Sequence, residues 1–377
     1  MKILHIIAAY KPAVIYGGPT MSVAMLCEEL SKECVTSVFT TTANGTEELP
    51  VPVGIPINVD GVTVVYFKRI TKDHTHFSPA LLMALWRSRD IDIIHIHAWW
   101  NLVSIFSCMI AVAKGIPVVL SPRGTLSAYS FSNKNIGKKK LIHNLLGKNL
   151  LAKCHILTTS QREASAIKTL LNPLSVTVLP NFVKLDQTVN TEKLIPHDVL
   201  KLLFFSRIEE KKGLDILLDA IRLVNVPFHL TIAGDGEKNY IDHLKASVQA
   251  ELTDKITWAG FYNNDKFDLL RNHHLLVLPS HDENFGNVVI ESLSVGTAVL
   301  VSENVGLAAY VAKNKLGWIC QTTANSVSTA INTIGYNLHT ELDSIRVISP
   351  NVVRGDFTGN ALVQQYIGFY QNIKKAI

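Results

Sequence analysis

Cysteine is scarce and unpaired: Cys27, Cys34, Cys108, Cys154 and Cys320 are odd in number, scattered, and never spaced as C-x-x-C. That argues against a disulfide framework or a zinc site and for a reducing compartment. Long apolar runs are missing too. The most apolar central stretch, 102–113, stops at Lys114, short of the roughly 20 residues needed to cross a bilayer. The opening run 1–9 has no small-residue cleavage site before Tyr10-Lys11-Pro12 and reads as a buried first strand, not a signal peptide. A cytoplasmic protein is expected. No G-x-G-x-x-G with a trailing acidic residue is present, which disfavours a dehydrogenase. No low-complexity tract or repeat of 20–50 residues appears.

What is present suits a globular protein of two domains: 377 residues, 47% hydrophobic and 18% charged. Charge is unevenly shared. Residues 1–180 carry 18 Lys and Arg against 10 Asp and Glu, whereas the remainder carries 18 against 21. The basic half suggests an acidic partner or surface on that side; no nucleic-acid partner is expected.

Short β-rich runs alternate with amphipathic stretches. Strands are predicted at 3–8, 35–41, 92–96, 117–120, 155–158 and 177–179, with helices at 21–31, 80–87, 102–113, 138–152 and 162–170. A polar stretch at 183–199 reads as a linker. Strands then resume at 202–205, 229–233, 256–259, 275–278 and 298–301, with helices at 213–224, 238–249, 265–271 and 286–295, and a last amphipathic helix at 360–375. The reading is α/β, with two doubly wound parallel-sheet domains at 1–183 and 184–359 and a segment 360–377 packing back on the first. Ligands of such sheets sit beyond the carboxyl ends of strands, so an active site is expected in a cleft between the domains.

The densest motif is Pro279-Ser280-His281-Asp282-Glu283-Asn284-Phe285-Gly286-Asn287-Val288-Val289-Ile290-Glu291. A buried strand ends there and a helix begins near Gly286, where bare amides attract anions. Glu283 and Glu291 can face one cavity, an arrangement suited to a ligand with hydroxyls at both ends and phosphate between. The same glutamates could instead merely complement the helix dipole. Arg207 and Lys212, flanking the turn after the first strand of the second domain, can converge on one anion, or can be solvated surface charge. Tyr16-Gly17-Gly18 forms a glycine turn after the first strand, able to admit a diphosphate or only to turn the chain. In Ile94-His95-Ile96-His97, both histidines share a strand face. No third ligand at suitable spacing is visible, so no metal site is expected. His97 is the better placed to bond a sugar hydroxyl and His95 to be a core histidine. Arg123 ends another strand and can contact phosphate or acceptor, or belong only to a structural loop. Lys134, Lys138, Lys139, Lys140, Lys148 and Lys153 flank an apolar stripe of Leu141, Ile142, Leu145, Leu146, Leu150 and Leu151. Such a helix can lie on an anionic membrane or pack on the sheet.

Together these motifs resemble the retaining glycosyltransferases of family 4, with the GT-B fold of two Rossmann-like domains. The resemblance rests on Ser206-Arg207 through Lys212-Gly213, Ala233-Gly234-Asp235-Gly236, the Glu283/Glu291 pair, Pro180-Asn181, Tyr16-Gly17-Gly18 and His97. It implies that Arg207 and Lys212 hold a nucleotide-sugar diphosphate, Glu291 the ribose and Glu283 the sugar. Backbone amides from Asn284 through Phe285, Gly286 and Asn287 to Val288 would contact sugar and phosphate, Gly17 and Gly18 the donor, and the segment at Phe261-Tyr262 the base. Arg207, Lys212, Glu283 and His97 are the expected catalytic residues. The chain departs from the family pattern at Val305-Gly306-Leu307, where a Gly-Gly pair is common, and at Asn284 and Phe182, often glycine. The implied activity moves a hexose from a nucleotide sugar, UDP-sugar favoured, to a saccharide or lipid-linked acceptor in polysaccharide biosynthesis, with no cofactor and no metal. A nucleotide-sugar epimerase or hydrolase, or a non-catalytic binding protein, is the alternative.

Overall fold

The computed structural model describes residues 1–127, 137, 146–186, 198–262, 266–337 and 339–375. Its contacts divide the chain into two compact units, Met1–Phe182 with Gly359–Ile377, and Val183–Thr358. Of the basic helix expected at 138–152, Lys134, Lys138 to Lys140, Leu141, Ile142 and Leu145 lie outside the described residues, as does the linker at 187–197.

The first unit runs β1 (Lys2–Ile6), α1 (Gly18–Ser31), β2 (Val35–Thr41), β3 (Ala43–Asn44), β4 (Glu47–Glu48), β5 (Pro56–Val59), β6 (Val62–Phe67), α2 (Pro79–Arg87), β7 (Ile93–His97), α3 (Leu102–Ala113), β8 (Val118–Ser121), α4 (Lys148–Leu151), β9 (Cys154–Thr158), α5 (Gln161–Leu170) and β10 (Ser175–Val178). Its main sheet has the order β10-β9-β8-β7-β1-β2-β6-β5. Every pairing in it is parallel except β5 with β6. The chain therefore builds outward one way from β1 and then returns to build the other way from β7. That reversal is a switch point, where the carboxyl ends of β1 and β7 leave a crevice. The β7 residues Ile93, Ile94, His95, Ile96 and His97 are all buried because helices cover both faces. Helix starts follow their caps: Ser78, Asn101 and Ser160 each accept from a backbone amide three residues on. The β5–β6 hairpin was not foreseen. Its turn is Asp60-Gly61 with φ 49° and 84°, the two-residue geometry that asparagine, aspartate and glycine favour.

The second unit runs β11 (Leu200–Phe205), α6 (Leu214–Ile221), β12 (Phe228–Ala233), α7 (Lys238–Ser247), β13 (Ile256–Gly260), α8 (Lys266–Arg271), β14 (Leu275–Leu278), α9 (Asn287–Ser294), β15 (Ala298–Ser302), α10 (Ala308–Asn314), β16 (Gly317–Cys320), α11 (Ala324–Asn337) and α12 (His339–Phe357). Its all-parallel sheet has the order β13-β12-β11-β14-β15-β16, with the switch point between β11 and β14. The expected linker begins inside this unit: Val183 is buried, and Asp186 pairs with Arg271 and accepts from Arg354 through its carbonyl at 2.8 Å. The elements α10, β16, α11 and α12 were also unread in the sequence.

The last helix, α13 (Asn360–Lys375), belongs to the first unit. Its Leu362, Val363, Tyr366, Tyr370 and Ile373 are buried with Ile3, Leu26 and Val119. Tyr366 donates to the Pro180 carbonyl at 3.0 Å. No described helix is long and apolar enough to cross a membrane.

Candidate active site

Sequence-predicted residues gather at both switch points. In the second unit, β11 delivers Ser206-Arg207 and a tight turn, Glu210–Lys212, delivers Lys212. Gly213 (φ 71°) lets this turn touch the neighbouring strand, since a Cβ there would lie 2.2 Å from the Pro279 carbonyl oxygen. The amide of His281 donates to the Lys211 carbonyl at 2.9 Å, tying the loop after β14 to the same turn. The Ala233-Gly234-Asp235-Gly236 turn locks on from the other side: a Cβ on Gly234 or Gly236 would fall 1.8 or 2.0 Å from the carbonyls of Ser206 and Ile208.

Lys212 is only 8% exposed, and its ammonium bonds the Glu283 carboxylate. The Glu283 backbone is held by Asn304 and Gly306, its amide donating at 3.2 Å and its carbonyl accepting at 2.8 Å. Gly286 (φ 93°) then starts α9, without a capping side chain and without an acidic residue in the first turn. Neither glutamate lies within that first turn, and each is taken by a lysine. Glu291 instead takes Lys266 at 2.8 Å, and Lys211 takes Asp282 at 3.0 Å. Three lysine–carboxylate pairs thus border the start of α9, which no side chain caps. Spacing alone did not point to Lys266. Arg207 is 62% side-chain exposed and pairs with Glu209 at 3.2 Å, so no direct contact joins it to Lys212. The Phe285 side chain is buried in the core against Phe357, leaving only its backbone to face a ligand. Tyr262 and Val288 are half-buried beside that core; Asn284 and Asn287 flank Gly286.

In the first unit, Gly17 (φ 63°) caps α1 and Gly18 begins it. Tyr16 is fastened through its hydroxyl, which accepts from the Gly45 amide at 2.9 Å. The histidine reading needs correcting. His97 is as buried as His95, at 1% exposure, and a third histidine does stand beside them. Pairing of β1 with β7 sets His5 opposite His95, and ligand atoms of His5, His95 and His97 lie within 4.8 Å of one another. Sequence spacing could not show a partner 92 positions from His97. Five of the six ring nitrogens nonetheless meet protein partners. His95 meets Tyr370 at 2.7 Å and Ser121 at 2.8 Å. Arg123 Nε donates to His97 Nδ1 at 3.3 Å. A guanidinium only donates, so the His97 proton sits on Nε2 and faces His5 Nδ1 at 3.0 Å. That leaves the His5 proton on Nε2, an enclosed atom without a partner. Burial, reinforced by the Arg123 charge, lowers His5 to about 3 and holds His95 and His97 well below the usual histidine range, where neighbouring histidines add to the effect. All three are neutral at pH 7.

Two family models match the chain: glycosyltransferase family 4 over residues 16–187, and glycosyl transferases group 1 over residues 186–337. One relative is the phosphatidylinositol N-acetylglucosaminyltransferase gpi3 subunit of Schizosaccharomyces pombe, 25% identical over 67% of this chain and 57% of that protein. The chain therefore spans little more than half the length of that relative. Among solved structures, sucrose-phosphate synthase from Thermosynechococcus elongatus superposes with TM-score 0.78 and 17% identity over 100% of both chains. Anabaena HepE in complex with UDP and glucose does so with TM-score 0.72 and 18% identity over 99% of this chain and 100% of that one. At such identities the likeness speaks for the fold, which is that of the GT-B enzymes.

Proposed function

Because the chain belongs to glycosyltransferase family 4 and is a glycosyltransferase, we propose that it moves a hexosyl group from a UDP-sugar to a saccharide or lipid-linked acceptor, with retention of configuration and without a metal. The supporting observation is the border of Lys212–Glu283 and Lys266–Glu291 pairs around the uncapped start of α9. A pyrophosphate offers Lys212 a stronger partner than one carboxylate does, and Arg207 adds a planar fork. Charge grows on the leaving diphosphate in the transition state, so fixed cations and amides favour that state over the ground state. Glu291 takes the ribose, Glu283 the sugar, Tyr262 the base, and Gly17 and Gly18 approach the donor. His97 acts through Arg123, not on the sugar directly. The departing phosphate accepts the acceptor proton as the new bond forms on the same face.

The basic stretch ending at Lys148 and Lys153 is the proposed contact with anionic membrane carrying the acceptor. Thermal-shift screening against UDP-, GDP- and ADP-glucose tests the donor. Lys212→Ala is expected to lower turnover by roughly two to four orders of magnitude with the folded state intact. Near-native turnover in that variant, or an inverted product anomer by NMR, contradicts the mechanism.

A further inference from the structure

Arg123 sits at the carboxyl end of β8, beside the first unit's switch point. Its backbone has φ 52°, and Ala98 just past β7 has φ 63°. Two non-glycine residues in left-handed conformation at adjacent strand ends are costly unless the surroundings demand them. The guanidinium is spread over neutral acceptors. Nε donates to His97 Nδ1, and Nη1 donates to Ser22 Oγ at 2.9 Å and to Asn181 Oδ1 at 2.8 Å. Among the described residues no carboxylate forms an ion pair with it and Nη2 has no protein partner. Glu163, whose charge it feels, spends its carboxylate on the amides of Gly124 at 2.8 Å and Thr159 at 3.0 Å. Arg123 is half-buried, and a partly desolvated cation held only by neutral ligands favours an anion joining it. Ser22 lies one turn into α1, a helix with no acidic residue in its first turn and no capping side chain at Gly17, so its amino end adds positive potential at the same place.

We propose that Arg123 and the start of α1 form an oxyanion subsite within the first unit, taking a phosphate or carboxylate group of one of the two substrates. With Nε and both N–H groups of Nη1 committed to His97, Ser22 and Asn181, the two N–H groups of Nη2 are the donors left for an anion's oxygens. His97 is a positioning residue: it accepts from Nε and is itself held by His5, so the guanidinium keeps one orientation. The subsite stands on this geometry; its assignment to a sugar donor or acceptor rests on the glycosyltransferase reading.

The test titrates inorganic phosphate by calorimetry into the full chain carrying Arg207→Ala and Lys212→Ala, so that the second unit's cations do not respond. One saturable site is expected, its Kd raised at least about tenfold by adding Arg123→Gln, as loss of charged hydrogen bonds predicts. Unchanged phosphate affinity in that variant overturns the subsite. Should Arg123→Gln lose its native circular dichroism, the ring 15N resonances of the chain with Arg123 intact decide instead. Phosphate-dependent movement of His97 but not His155 supports the subsite, and a silent His97 overturns it. The source of the anion is read by binding UDP to a chain bearing only Arg123→Gln. A tenfold weaker UDP assigns the subsite to the donor diphosphate, and unchanged UDP affinity assigns it to an anionic acceptor. Failure of the chain to bind any UDP-sugar would sink the donor reading while leaving the phosphate result to stand alone.

Discussion

Gly234 shows how much of the second unit hangs on one absent methyl group. Its φ of 147° and the 1.8 Å from its would-be Cβ to the Ser206 carbonyl oxygen leave no room for alanine. Gly234→Ala should cost about 3 kcal/mol or more in urea unfolding, through strain and overpacking. Gly355→Ala, in α12 with nothing near its Cβ, should be neutral or stabilising by up to about 1 kcal/mol. Equal effects would refute the steric account. Residues of this kind were visible in the sequence because their motifs are local: a glycine-rich turn, an Arg and a Lys five apart, two glutamates eight apart. Their partners were not. Lys212 meets Glu283 across 71 positions and Lys266 meets Glu291 across 25, the first set by strands β11 and β14 lying side by side and the second by α8 packing on α9, not by any period.

Among elements, strands and helices flanking the switch points were legible because apolar runs and caps are short-range signals. The β5–β6 hairpin and the helices α10 to α12 escaped because their patterns are weaker. Pro350 sits inside α12, and proline ordinarily argues against a helix interior. The docking of α13 was foreseen from its amphipathic stripe, but the anchoring atoms were not. Tyr370 fills the core and its hydroxyl meets His95 Nδ1. Tyr370→Phe should lower hydrogen-exchange protection of β1 and β7 by about 1–3 kcal/mol, since a buried ring nitrogen loses its partner. Tyr370→Ala should lower it by about 3–5 kcal/mol through the cavity. Protection unchanged in both variants would mean that α13 does not brace the sheet.

For the molecule as a whole, neutral buried histidines make acid a threat. Histidines in the unfolded chain take protons near pH 6.5, whereas His5 resists until about 3 and His95 and His97 stay well below their ordinary value. Between those limits the unfolded state binds more protons, so stability falls as pH falls. Each such histidine adds a slope of up to about 1.4 kcal/mol per pH unit below 6.5. Urea midpoints should be flat from pH 8 to 7 and drop steeply from pH 6 to 5. A His5→Gln variant should show a shallower drop, and an identical drop would remove His5 from the account.

The return of α13 to the first unit also orders events during synthesis. Residues 183–358 form a continuous stretch that can close as soon as it leaves the ribosome. The earlier half must wait for a segment made about 177 residues later, on the order of ten seconds or more at usual elongation rates. Until then Ile3, Leu26 and Val119 lack their cover, and the nascent first half is the portion most in need of a chaperone.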